Sequence, residues 1–156
     1  MVKEKMEVSD LKAHIGFWMR VVSNHVSYAF ALKLEASGVT VAEWVVLREM
    51  YGSREGTTSP SAVADLTGLT RGAVSKLISR LLAKGLVTRR ESTGDRRYQD
   101  VALTKPAIAL VPKLAKLADE NDREFFSVLS KTERQTLKEI LKRVVALHKL
   151  SGMPMD

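Results

Sequence analysis

Residues 59–104 read SPSAVADLTGLTRGAVSKLISRLLAKGLVTRRESTGDRRYQDVALT, and the spacing inside this stretch decides the fold. Ser59 followed by Pro60 is an N-cap with proline at the first helical position, where its missing N–H costs nothing. Counting Pro60 as the first place, Ala64 is fifth, Gly68 ninth and Val74 fifteenth. That is the pattern of two helices crossing at a small residue and joined by a glycine turn, with Val63, Leu69 and Leu77 filling the buried places between them. The predicted elements are a short helix to Thr67 and a longer one from Thr70 to Lys84, closed by Gly85. A strand-like segment follows at Leu86–Arg90, then turn residues Ser92–Asp95, then a return strand from Tyr98 to Leu103.

On a 100° helical wheel with Val74 at zero, Val74, Leu77, Ile78 and Leu81 fall at about 0°, 300°, 40° and 340°. They form one buried stripe. Gly72, Ser75, Lys76, Ser79 and Ala83 occupy the opposite side, between about 100° and 200°. That face is small, polar and basic, so it can enter a DNA major groove, where Lys76 can reach a guanine edge or a phosphate. Arg71 stands in the first turn, the part of a recognition helix that usually points deepest. The bland counterpart is an ordinary helix corner with a solvated charged face. The hairpin tells against it: an arginine-tipped ribbon directly after such a helix suits a narrow groove of strong negative potential. Asp95, beside Arg96 and two residues before Arg97, can orient a guanidinium through a bidentate pair.

Working outward, Ser9 can cap a long first helix carrying Leu11, Ile15, Trp18, Val22, Val26, Ala29 and Leu34, which stops near Gly38. Thr40–Glu43 is a capping box that opens a second helix ending at Gly52. Ser53–Thr58 is polar and reads as a loop. Thr104 can cap a helix toward Leu129, in which Pro112 predicts a kink or break near Ile108–Pro112. Ser130–Glu133 is a second capping box, before a helix with Leu137, Ile140, Leu141, Val144, Val145 and Leu147 on one side. The expected fold class is mainly α with a small β-wing. Its parts are an N-terminal dimerisation helix (residues 1–39), a winged helix-turn-helix (40–104) and C-terminal dimerisation helices (105–156).

The chain carries a formal net charge of +7 over 156 residues. From Ser59 to Lys105 nine basic residues face four acids, so a local +5 sits in under a third of the sequence. Such a concentrated excess points to a polyanionic partner. There is no cysteine, which removes disulfides, thiolate metal sites, cysteine nucleophiles and thiol redox sensing together. No apolar run approaches a membrane span, and the first ten residues lack the apolar core of a secretory signal, so the chain reads as cytoplasmic. No phosphate-binding glycine loop or recognisable Ser/His/Asp spacing occurs, so an enzyme is not expected. No metal site or cofactor is expected either. His14 and His25 are eleven residues apart, about 16 Å along one helix, too far to share an ion within one chain, which leaves a site built with His148 or a partner subunit as the alternative.

The quoted stretch resembles the MarR family of regulators, notably in AKGLVTRR and in the spacing of GDRR before the return strand; the flanking helices fit the same layout. Two departures stand out. Gln99 and Asp100 replace more apolar strand residues, and Pro106–Ala107 replaces a glycine-containing helix start. The resemblance implies that the helix matching Thr70–Lys84 reads the major groove, that Arg97 enters the minor groove, and that the terminal helices make a homodimer. With the residue chemistry, it yields candidate DNA contacts at Ser59, Thr70, Arg71, Gly72, Ser75, Lys76, Ser79, Arg80, Arg90, Asp95, Arg96 and Arg97. Dimerisation is expected through Leu11, Ile15, Leu137, Ile140, Leu141, Val144, Val145 and Leu147. Many members are released from DNA by a small aromatic or anionic effector, for which His14, Trp18, Trp44 and Arg48 have suitable chemistry, although each tryptophan is also an ordinary core residue.

The resulting expectation is a regulator of transcription that binds a pseudo-palindromic duplex. The absence of a separate activation segment favours repression. The alternative of a different class is a winged-helix protein-interaction module, in which Lys76, Arg96 and Arg97 would grip an acidic protein surface.

Overall fold

The computed structural model describes residues 5–90 and 100–155. Among the described residues six α-helices and a small sheet follow in the order α1 (Ile15–Glu35), α2 (Val41–Gly52), β1 (Thr57–Thr58), α3 (Pro60–Thr67), α4 (Arg71–Ala83), β2 (Val87–Arg90), β3 (Asp100–Leu103), α5 (Lys105–Phe126) and α6 (Lys131–Leu147). The mainly helical fold with a β-wing is as expected. Asp95, Arg96 and Arg97 lie outside the described residues.

Local chemistry explains most boundaries. The side chains of Thr40 and Ser130 accept from the backbone N–H of Glu43 and Glu133, whose carboxylates reach back to the cap N–H, so both capping boxes are closed. Ser59 and Thr70 cap α3 and α4 by accepting from the N–H groups of Ala62 and Ala73. Between these helices Gly68 takes φ 70°, a left-handed conformation that would strain any residue with a Cβ. The hydroxyl of Thr67 pins the turn, donating to the carbonyl of Val63 at 2.7 Å and accepting from the N–H of Leu69 at 3.2 Å. At the far end of α4, Leu86 N–H donates to Leu81 and Gly85 N–H to Leu82, the paired closure that a left-handed glycine allows.

Three expectations change. The first helix does not run unbroken from Ser9. Asp10 caps a single 3-10 turn, Leu11–Ala13, by accepting from Lys12 N–H, and His14 is extended before α1 begins. Residues 53–58 are not all loop, because Thr57 and Thr58 pair antiparallel with Ala102 and Val101, giving a three-stranded sheet of order β1-β3-β2. Pro112 does not end α5, which is one helix from Lys105 to Phe126. Pro112 is on the exposed side and Ile108, whose carbonyl loses its helical donor, is half exposed, so water can satisfy the freed group. Pro106 also fits, in the first turn of α5 behind the Thr104 cap. Thr104 further ties wing to helix by donating its hydroxyl to the carbonyl of Gly85 at 2.7 Å.

One buried cluster draws on every helix from α1 to α5 and on the sheet. Val63, Val74, Leu77, Ile78 and Leu81 of the helix-turn-helix pack with Leu34 of α1, Val46, Leu47 and Met50 of α2, Val87 and Val101 of the sheet, and Ala107, Val111 and Leu114 of α5. The recognition unit is therefore seated directly on the inner faces of α1, α2 and α5. A polar joint adds to this seat: buried Asn121 of α5 donates to the carbonyl of Val26, and Lys33 donates to Asn121 and Glu124.

Candidate nucleic-acid interface

Burial separates the two faces of α4. Val74, Leu77, Ile78 and Leu81 are at most 8% exposed, whereas Arg71, Gly72, Ser75, Lys76, Ser79 and Arg80 all face solvent. The wheel is thus realised in three dimensions, and the exposed face carries three cations and no acid. Beside it runs a groove of about 890 Å³ between α3, α4 and the sheet. Ser59, Arg71, Ser75 and Ser79 line it from the helices, and Arg89, Asp100 and Val101 from the strands. Hydroxyls and guanidinium groups along one concavity are the donors that phosphate and base edges accept from.

Of the remaining sequence-derived contacts, Thr70 is exposed with its hydroxyl spent on the α4 cap. Arg90, exposed at the end of β2, stands 4.0 Å from the carboxylate of Glu55. Arg80 lies with its Nε 3.6 Å from Glu43 Oε1. The groove also holds two charged residues that the sequence alone does not single out, Arg89 and Asp65. Arg89 was legible in principle, since on a strand it shares the face of Val87 and pairs across to Val101.

The residues considered for an effector do not converge within one protomer. Trp44 makes an edge-to-face contact with Phe30 at 6.3 Å, half-buried against the core. Trp18 donates its indole N–H to the carbonyl of Lys12. Twelve residues of α1 separate Trp18 from Phe30, about 18 Å at 1.5 Å per residue. His14, just before α1, and Arg48, on α2, are both exposed. Among the described residues no group of His, Cys, Asp and Glu could hold a metal ion. Among the described residues no helix is long and apolar enough to cross a membrane.

The proposed dimerisation residues are mostly exposed. Leu11, Ile15, Leu137, Ile140, Val144, Val145 and Leu147 show between 36% and 79% of their surface, and no residue of α6 is buried. A cleft of about 560 Å³ opens between α5 and α6, with Phe126, Leu137 and Leu141 beside Asp119, Asp122, Lys131 and Lys138.

A helix-turn-helix followed by a β-hairpin, with a cationic outer helix face, defines a winged helix-turn-helix protein. Residues 37–97 match the family model described as MarR family, so this stretch of the chain is similar to that family. A protein to which regulation of the hcr operon of Thauera aromatica is ascribed is 33% identical over 86 residues, 55% of this chain. The chain spans about half the length of that relative, 52%. Among solved structures, a MarR variant from E. coli complexed with operator DNA superposes with a TM-score of 0.74 at 25% identity, covering 88% of this chain and 99% of that one. BpsR of Bordetella bronchiseptica, whose DNA binding is described as regulated by 6-hydroxynicotinic acid, matches with the same score and identity over 88% of this chain and 97% of its own.

Proposed function

We propose that this chain is a homodimeric, sequence-specific DNA-binding regulator of transcription. The observation that carries the reading is the exposed face of α4, which bears Arg71, Lys76 and Arg80 with small residues between them beside a hydroxyl-lined groove. Arg71 and Lys76 read base edges in the major groove, and Arg97, on the segment joining β2 to β3, enters the adjacent minor groove. Ser59, Ser75 and Ser79 donate to phosphates and fix the register. The exposed apolar faces at Leu11–Ile15 and along α6 meet a second copy about a dyad. Two recognition helices then lie roughly one DNA turn apart, about 34–36 Å, and select a pseudo-palindrome.

Repression is the favoured sign, and a small aromatic or anionic molecule is the favoured releasing effector. It would act by binding better to a half-site spacing that mismatches the operator, because only differential affinity shifts an equilibrium. Since His14 and Trp18 do not meet Trp44 and Arg48 within one protomer, such a pocket would draw on both copies. The test is selection of duplexes from a random pool by the purified dimer, followed by titration of the selected duplex at several salt concentrations. A pseudo-palindromic consensus and a log–log salt slope of about −0.9 per phosphate contact are expected. A pool returned without consensus and binding indifferent to salt would leave the protein-interaction reading in its place.

A further inference from the structure

Glu43 is the one fully buried acid or base among the described residues. Capping does not explain the burial. The second capping box performs the same reciprocal bonding with Glu133 exposed, so a carboxylate at this helical position has no need to be buried. What distinguishes Glu43 is its partners on α4. Its Oε2 accepts from the backbone N–H of Thr40 at 3.1 Å and from Lys84 Nζ at 2.7 Å, and its Oε1 faces Arg80 Nε at 3.6 Å. Oε1 accepts no hydrogen bond, so the ion pairs hold the carboxylate in place of a complete bonding shell. A buried charge of this kind is costly to leave unpaired, which makes the geometry that pairs it strongly preferred.

Both cations belong to the last turn of the recognition helix. Lys84 is the C-cap of α4, and its ammonium also donates to the carbonyl of Gly38 at 2.7 Å, in the turn that joins α1 to α2. The end of α4 away from Arg71 is therefore latched to the α1–α2 turn and to the first turn of α2. Helices α1 and α2 pack against α5, and α1 leads to the exposed apolar residues assigned above to the partner copy. A helix of 13 residues is about 20 Å long, so a pivot of about 5° at the latch moves the groove-facing tip by about 1.7 Å. Two such tips, related by a dyad, change their separation by up to twice that.

We propose that Glu43 is a positioning residue for DNA recognition. Gripped by Lys84 and Arg80, it sets the angle at which α4 leaves the helical layer and so the half-site spacing that the dimer prefers. This rests on the DNA-binding reading above. The test uses full-length Glu43→Gln, which keeps the size and capping capacity of the side chain, and Lys84→Met, on the exposed partner. Each is titrated against the selected duplex and against versions with one base pair added or removed between half-sites.

The wild type is expected to discriminate against altered spacing by about tenfold or more, and both variants to lose most of that preference while binding the original duplex about tenfold more weakly. Secondary structure and dimer mass should stay unchanged, the double variant should be no worse than either single one, and Lys84→Arg should restore the spacing profile. If Glu43→Gln does not fold, Lys84→Met decides. Folded variants that keep the wild-type spacing profile, even at a lower melting temperature, overturn the proposal and reduce Glu43 to a stabilising group. A wild type that selects a consensus yet ignores spacing also overturns it. A wild type that selects no duplex sinks the DNA-binding reading itself, a result distinguishable from the others.

Discussion

Helices α4 and α6 carry the same kind of apolar periodicity and end in opposite situations. Both begin at a hydroxyl cap, and both place branched and γ-branched residues on one stripe. On α4 the stripe is buried against α3, α2 and the sheet, down to 0% exposure at Leu81; on α6 the matching stripe leaves Ile140 and Val144 46% exposed. Periodicity states that a helix needs a partner and on which side. It does not state whether that partner lies in the same chain. For α4 it does, and the opposite face is released for DNA. For α6 no described part of the chain buries the stripe, which is why a second copy is proposed.

The contrast can be broken most severely at α6. Ile140→Glu combined with Val144→Glu should leave a folded monomer by sedimentation, with operator affinity reduced by about 10²–10⁴-fold as bivalent attachment is lost. An intact dimer would mean that α6 is not the seam. The complementary change at α4, Leu81→Ala, should cost about 2–5 kcal/mol in denaturant unfolding, because a side chain buried on all sides leaves a cavity. Leu147→Ala, at 77% exposure, should cost far less in the isolated protomer. On the outer face of α4, Lys76→Ala should keep the melting temperature and relax base preference, at about 1–3 kcal/mol per lost base contact, as measured by competition between duplexes. The smallest effect is expected at the caps. Thr70→Ala and Ser130→Ala should each cost about 1 kcal/mol, and the same loss at both would show that capping is indifferent to what the helix later packs against.

Legibility of the sequence followed the range of the interactions involved. Both capping boxes, the Ser59 and Thr70 caps and the Gly68 turn are decided within a few residues, and each stands where the local chemistry places it. Errors arose where distant chain intervened. Thr57 and Thr58 are polar and short, and they become a strand because β3 offers its edge from some forty residues away. The start of the first helix is a local exception: Asp10, not Ser9, caps a 3-10 turn, and His14 is extended before α1. Of the kink or break that Pro112 predicts, the break does not occur, because buried Val111 and Leu114 hold α5 to the core while the proline faces solvent. In the site itself, the exposed face of α4 was legible from period alone, whereas Arg89 joined it only through the pairing of β2 with β3.

Glu43 shows most clearly where local reading stops. Its spacing from Thr40 identifies a capping residue, and that is correct. Nothing within the helix announces that Lys84, 41 residues later, closes over the same carboxylate and removes it from water. Alone, the sequence determined the helix starts, the turn between α3 and α4, and the cationic character of one helical face, since these depend on backbone donors, glycine's freedom and a 3.6-residue period. Tertiary structure alone decided which apolar stripes are satisfied, which charge is buried, and how the recognition helix is anchored to the rest of the chain. Those outcomes depend on surfaces brought together from far apart, and burial is a property of the assembled molecule rather than of any segment.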